Sequence, residues 1–95
     1  MAALVVVDIE ITDPVRYEEY RRLAAPTVAA FGGKYLVRGG RVETLEGEWH
    51  PGRLVVLEFP SPERAREWWD SELYREARNL RQTCARTEMI LVEGV

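Results

Sequence analysis

Two carboxylates at the ends of apolar strands are the first candidates for chemistry in this sequence. Asp8 follows the apolar residues on one face of the strand AALVVVDIEI, and Glu58 follows the apolar residues on one face of the strand RLVVLEF. We interpret these strands as parallel neighbours, which predicts that the two carboxylates share one end of a sheet. Close carboxylates in a shielded cavity disfavour double ionisation, so one would keep a proton and act as a general acid or base. The alternative is an interface pair neutralised by a cation such as Arg86.

Arg38 is the candidate for binding a small acid. It follows Leu36 on the same face of the strand KYLVR if the alternation is regular. A guanidinium beside an apolar cavity can bind a carboxylate or an enolate through two parallel hydrogen bonds, although an ion pair between subunits explains it equally well. The following Gly39-Gly40 pair fits either a tight hairpin or a bulge in one long strand.

Aromatic residues and one histidine complete the candidate site. Tyr20, Trp49 and Tyr74 are expected to shape the pocket, although aromatic residues at helical spacing also build cores. His50 is the only histidine and the third catalytic candidate, as a proton shuttle in a loop; the alternative is a solvated side chain. A single histidine excludes a histidine metal site built from one chain, and we expect neither a metal nor a cofactor.

Hydrophobic periodicity, caps and turns divide the chain into alternating strands and helices. The predicted strands are Ala2–Ile11, Lys34–Arg38 continued by Val42–Leu45, Arg53–Phe59 and Thr87–Glu93; one predicted helix runs from Pro14 to Gly32, and another starts at Pro62 and restarts at Ser71. In the last helix, Leu73, Ala77, Leu80 and Cys84 form an apolar stripe.

The order βαββαβ predicts a ferredoxin-like α+β fold, with a four-stranded antiparallel sheet and the helices on one face. Val5 and Val7 lie on one face of the first strand, yet Leu4 and Val6 on the other face are apolar as well. Helices cover a single face, and a solvated second face should be polar. The sequence therefore predicts a homodimer in which two sheets face each other.

Composition and charge restrict the function classes. Ninety-five residues, 46% of them hydrophobic and 31% charged, indicate one globular domain over residues 1–95. The net charge of −3 argues against nucleic acid as a partner, and the apolar stretch from Met1 to Val7 is too short to span a membrane. A single cysteine, Cys84, agrees with a reducing compartment, and we expect a cytoplasmic protein.

Three segments carry a resemblance to a known family. GGKYLVRGGRVETLEGEW (residues 32–49), VVLEFPS (residues 55–61) and WWDSELYREARNLR (residues 68–81) resemble the uncharacterised family known as domain of unknown function 1330. The resemblance runs nearly end to end and implies a dimeric α+β barrel. That superfamily also holds cofactor-free monooxygenases, isomerases, dehydratases and haem-dependent enzymes, so the resemblance transfers no catalytic residue.

Three functions remain open at this point. The first is a homodimeric enzyme that handles an apolar or aromatic acid by proton transfer or cofactor-free oxygen chemistry, in a cavity between sheet and helices. The second is a protein that binds such a small molecule without turnover. The third is a protein whose task is association alone.

Overall fold

Four strands and three helices make up the chain, and the computed structural model describes all 95 residues. The elements are β1 (Ala3–Ile11), α1 (Pro14–Ala30), β2 (Lys34–Arg38), β3 (Arg53–Phe59), α2 (Pro62–Asp70), α3 (Glu72–Cys84) and β4 (Ala85–Glu93). The predicted strand over Val42–Leu45 is wrong, because this segment belongs to an irregular loop over residues 39–52.

The strands form one antiparallel sheet in the order β2-β3-β1-β4. The prediction that β1 and β3 are the central strands is confirmed, but the prediction that they run parallel is wrong. The long helical crossover returns β2 parallel to β1, and β3 lies between them, antiparallel to both. The fold is therefore the expected ferredoxin-like α+β arrangement.

Serine and aspartate caps fix where each helix begins. Asp13 accepts a hydrogen bond from the Arg16 N–H and precedes Pro14, while Ser61 does the same for the Arg64 N–H. Ser71 separates α2 from α3: its hydroxyl donates to a carbonyl of α2 at 2.8 Å and accepts from the first turn of α3 at 3.1 Å. The predicted restart of the second helix at Ser71 is confirmed.

The core lies between the helices and one face of the sheet. Val5 and Val7 of β1 and Leu57 of β3 are each at most 4% exposed, and they pack against Trp68 and Tyr74 from the helices. Burying this layer supplies the main stabilisation of the fold.

The second face of the sheet carries apolar side chains that no helix of this chain covers. Leu4 and Val6 alternate with the buried positions of β1, and Val56 lies opposite Val6 on β3. On β4, Ile90 is 58% exposed and Val92 is 42% exposed. We call this surface the open face.

An irregularity in β2 changes the position of Arg38. Leu36 is an extra residue between the pairs Tyr35–Leu57 and Val37–Val56, so the register shifts by one. The regular alternation that predicted a shared face for Arg38 and Leu36 therefore does not hold in β2. Arg38 instead lies on the helix-covered face, and its guanidinium carbon is 4.2 Å from the centre of the Tyr35 ring.

None of the three helices is long and apolar enough to cross a membrane.

Candidate functional site

A groove of about 440 Å³ lies between β4 and the helices α2 and α3. Its walls include Trp68, Trp69, Met89 and Leu91, and Arg81 contributes its main buried charge. Arg66 and Asp70, both exposed, lie at its rim. This volume is in the range of sites for small organic molecules, and an apolar lining with few polar groups is typical of them.

Arg81 enters the groove from the buried face of α3. Tyr74, Ala77, Arg81 and Cys84 recur at intervals of three, four and three residues and are all at most 4% exposed. Arg81 forms no ion pair, since it lies within bridging distance of no carboxylate, and its Nε atom is buried without a hydrogen-bond partner. A buried guanidinium without a counter-charge is costly, and such groups concentrate at binding sites.

A chain of hydrogen bonds joins Arg81 to two tyrosines. Arg81 Nη1 donates to the Tyr74 hydroxyl oxygen at 2.8 Å, and the Tyr74 and Tyr20 hydroxyl oxygens are 2.9 Å apart. Because the guanidinium can only donate, the Tyr74 hydrogen is free to point at Tyr20. Burial raises the pKa of Tyr20 and that of Tyr74, and Arg81 partly offsets the rise at Tyr74. Both hydroxyls therefore stay neutral and can act as donors.

A second, much smaller space lies on the other side of Trp68 and Met89, which line both. We call it the inner cavity. Its volume is about 30 Å³, enough for one or two water molecules. Tyr20 and Arg38 line it, so the structure places two predicted binding residues together, but in a space too small for an aromatic acid. The Trp68 indole donates to the Thr27 hydroxyl at 3.1 Å, which holds the partition in place.

The two predicted catalytic carboxylates do not meet. Glu58 lies opposite Leu4 in the register of β1 and β3, four residues from Asp8 along β1, which corresponds to about 13 Å. Each is satisfied locally: Asp8 accepts from the Trp49 indole at 3.0 Å and from a loop N–H at 3.0 Å, and Glu58 pairs with Lys34 at 3.1 Å. The expected carboxylate pair at one end of the sheet is therefore wrong, since the strands are antiparallel.

Trp49 and His50 lie far from Tyr20 and Tyr74. Trp49 is 61% exposed in the loop over residues 39–52, and His50 shares a polar surface depression with Asp8. The expectation that Trp49 shapes one pocket with the two tyrosines is wrong, because its indole is bonded to Asp8 on the other side of the sheet.

Arg81 is the residue that sequence reasoning missed. The stripe expected on the last helix starts at Leu73, yet Leu73 is 56% exposed and the buried stripe starts one residue later, at Tyr74. The spacing of Tyr74, Ala77 and Cys84 fits a helix as well as the spacing of the stripe that starts at Leu73. Arg81 falls within this alternative stripe, and that position was the sequence feature that could have indicated a buried arginine.

A family model for a domain of unknown function, DUF1330, matches residues 2–95. The chain belongs to this family. No curated protein matches the chain. Membership fixes the family without assigning DUF1330 an activity, so the site geometry has to support any functional conclusion.

Solved structures with the same fold include three informative neighbours of this DUF1330 protein. RPA0582 of Rhodopseudomonas palustris, a protein of unknown function, has a TM-score of 0.79 at 21% identity, over 99% of this chain and 82% of its own. SnoaB of Streptomyces nogalater, a cofactor-independent oxygenase, has a TM-score of 0.65 at 14% identity, over 99% and 93%. Rv0793 of Mycobacterium tuberculosis has a TM-score of 0.59 at 15% identity, over 100% and 95%. At these identities the likeness establishes the fold alone, a ferredoxin-like α+β arrangement.

Proposed function

We propose that this protein binds a small apolar or aromatic carboxylic acid in the groove, with the carboxylate on Arg81. The single observation that carries the proposal is Arg81, a residue that is 4% exposed, lines an apolar groove of about 440 Å³ and has no carboxylate partner in the chain. A ligand carboxylate would supply the missing counter-charge through a charge-assisted hydrogen bond.

The walls of the groove support a flat or branched apolar body for this ligand. Trp68 and Trp69 offer ring surfaces, and Met89 is a flexible side chain that adapts to irregular shapes. Trp69 is 40% exposed at the mouth, and the Arg78 guanidinium carbon, 4.8 Å from the centre of its ring, holds it from outside. These residues would supply affinity, while Arg81 would select the acid over neutral analogues.

The experiment that tests this proposal is a titration of the protein with benzoate and with benzamide, followed by tryptophan fluorescence. Trp68 and Trp69 line the groove, so a bound ring alters their emission. We expect benzoate to bind and benzamide to bind at least tenfold more weakly. Arg81→Met should abolish the preference for benzoate, whereas the exposed control Arg75→Met should keep it. Equal affinity for both probes, or unchanged benzoate binding in Arg81→Met, contradicts the proposal.

An enzymatic version of the function is supported by the hydrogen-bond chain behind Arg81. Tyr74 is fully buried and does not line the groove, so it would act through Arg81, by holding the guanidinium that would orient and polarise a substrate acid. SnoaB, which shares this fold, is a cofactor-independent oxygenase, and this likeness of fold favours chemistry without a cofactor. If the protein turns over an acid, and if Tyr74→Phe loses this turnover but keeps its affinity for benzoate, the protein is an enzyme and not only a binding protein.

The predicted catalytic roles of Asp8, Glu58 and His50 remain predictions, and they concern chemistry on the open face rather than in the groove. Because these side chains lie outside the groove, they would act on a molecule held between two protomers. Turnover that is lost in Asp8→Asn or Glu58→Gln, but kept in Tyr74→Phe, would favour that location.

We also propose that the protein is a homodimer that buries the open face. The face is apolar at its centre, with Val6 opposite Val56, and an ion pair between Lys34 and Glu58 lies at its border. Size-exclusion chromatography with light scattering should give twice the mass of one chain. Val56→Glu should give the mass of one chain, while Val15→Glu, at a helix position that is 82% exposed, should leave the dimer intact. A monomeric wild type contradicts this proposal.

A further inference from the structure

Three arginines gather at the inner cavity, at a place the groove does not use. Arg21 comes from α1, Arg38 from β2 and Arg53 from β3, and all three line the cavity. We call them the arginine cleft. Tyr17, Tyr20 and Tyr35 line the same space, and the rest of its wall is apolar.

The positive charges of the arginine cleft are largely uncompensated. Arg21 Nη1 lies 2.9 Å from a carboxylate oxygen of Glu18, which is nearly one helical turn away on the surface of α1. Neither Arg38 nor Arg53 forms an ion pair with any carboxylate of the chain. No carboxylate lines the inner cavity, so the cleft and Glu18 together carry two net positive charges. Like charges held together cost free energy, which the contacts of Arg38 and Arg53 with the rings of Tyr35 and Tyr17 offset only in part.

The backbone is shaped to hold these arginines in place. The extra residue in β2 brings Arg38 to the cleft, where it stacks on Tyr35. Gly39 has a φ of +73°, and a Cβ at that position would overlap the Arg53 guanidinium. The Nε atoms of Arg21 and Arg53 are buried without hydrogen-bond partners. Gly39 makes room for the Arg53 guanidinium, and two buried N–H donors have no acceptor. Together these features point to a missing acceptor.

The cleft also has an entrance. Arg21 and Arg38 line both the inner cavity and a surface depression of about 230 Å³, so their side chains form the partition between the two. Arg38 is exposed, and its long side chain can turn outward without disturbing the core. An anion can therefore reach the cleft from solvent without passing through the groove.

We propose that the arginine cleft is a second binding site, specific for a small oxyanion. The inner cavity alone holds about one or two water molecules, so a five-atom hydrogen phosphate would fit only with Arg38 turned outward, where the cavity opens into the depression of about 230 Å³. Guanidinium groups bind carboxylate and phosphate oxygens in the same two-pronged geometry. With two net positive charges, the cleft prefers the divalent hydrogen phosphate to monovalent formate.

The test is isothermal titration of the whole protein with sodium phosphate and with sodium formate, at constant ionic strength in chloride. We expect both oxyanions to bind, phosphate more tightly. Arg38→Gln should weaken phosphate binding about tenfold or more, since it removes a charge-assisted hydrogen bond. Arg41→Gln, the same change at an exposed loop arginine, should leave it unchanged, and so should Arg81→Met in the groove.

A variant that alters no charge sharpens the test. Gly39→Ala places a methyl group against the Arg53 guanidinium and should also weaken phosphate binding. Backbone amide shifts in nuclear magnetic resonance should map phosphate to Tyr35 and Gly39 in the wild type. The proposal is overturned if neither oxyanion binds, if Arg41→Gln weakens binding as much as Arg38→Gln, or if the shifted amides lie elsewhere. Because Arg81→Met leaves this site intact, loss of benzoate binding and loss of phosphate binding are separate outcomes.

Discussion

Replacing Arg81 by methionine should leave the protein as stable as the wild type or more stable. In the wild type, Arg81 is 4% exposed, and the one hydrogen bond of its guanidinium goes to the neutral Tyr74 hydroxyl. Losing that charge-assisted bond costs about 1.5–3 kcal/mol. Removing a buried charge that no carboxylate compensates returns several kcal/mol, because its desolvation is no longer required. Methionine fills a comparable volume, and Tyr74 keeps its hydrogen bond to Tyr20.

The two opposing terms predict an increase of about 0–2 kcal/mol in the free energy of unfolding of Arg81→Met. For a domain of this size, each 1 kcal/mol corresponds to about 4–8 °C in the melting temperature. Urea unfolding followed by far-ultraviolet circular dichroism, at one fixed protein concentration, measures the difference without depending on the tryptophans near the groove. Arg75→Met, at an exposed position of the same helix, should stay within about 0.5 kcal/mol of the wild type. A loss of more than about 2 kcal/mol in Arg81→Met, relative to that control, refutes the view that Arg81 is kept for a ligand at the expense of stability.

Three further predictions test other parts of the structure. Burial raises the pKa of Tyr20, Tyr35 and Tyr74, so above about pH 10 the unfolded chain releases protons that the folded chain keeps, and each of the three groups lowers stability by up to about 1.4 kcal/mol per pH unit. In urea unfolding from pH 8 to 11, Tyr74→Phe should therefore reduce this slope without abolishing it, and an unchanged slope would contradict the raised pKa of Tyr74. Asp8→Asn should cost about 1 kcal/mol and move the indole N–H resonance of Trp49, and an unmoved resonance would mean that this hydrogen bond is absent in solution. Gly33→Ala should cost about 1–3 kcal/mol of stability, because the added Cβ would lie 2.7 Å from a ring carbon of Phe59. Gly40→Ala meets no atom nearer than 4.0 Å and should be tolerated, so equal melting temperatures of the two variants would contradict the close packing at Gly33.

The fold was predictable because its main signals are local. Val5 and Val7 alternate with Leu4 and Val6, so the sequence of β1 alone indicates a central strand with two apolar faces. Proline and serine at helix starts are equally local, and Ser71 correctly predicted the break between α2 and α3.

The candidate site was less predictable because it depends on register. Nothing in KYLVR identifies Leu36 as an extra residue, since it is neither glycine nor proline. The Gly39-Gly40 pair suggested a bulge, but at a position after the one where the register shifts. The meeting of Tyr20 and Tyr74 was expected as a shared pocket, but the hydrogen bond from Arg81 to Tyr74 required knowing which side of α3 is buried. The assumed direction of β3 misplaced Glu58, and with it the carboxylate pair.

The extra residue in β2 makes the location of one charge depend on the number of residues in the strand. Deleting Leu36 would remove the irregularity and leave Arg38 opposite Val55, on the helix-covered face. Inserting one residue between Val37 and Arg38 would instead turn Arg38 to the open face, which would move a cation from the interior of one protomer to the surface that we propose joins two. Related chains with such an insertion should therefore differ from this one both in anion affinity and in the strength of their self-association.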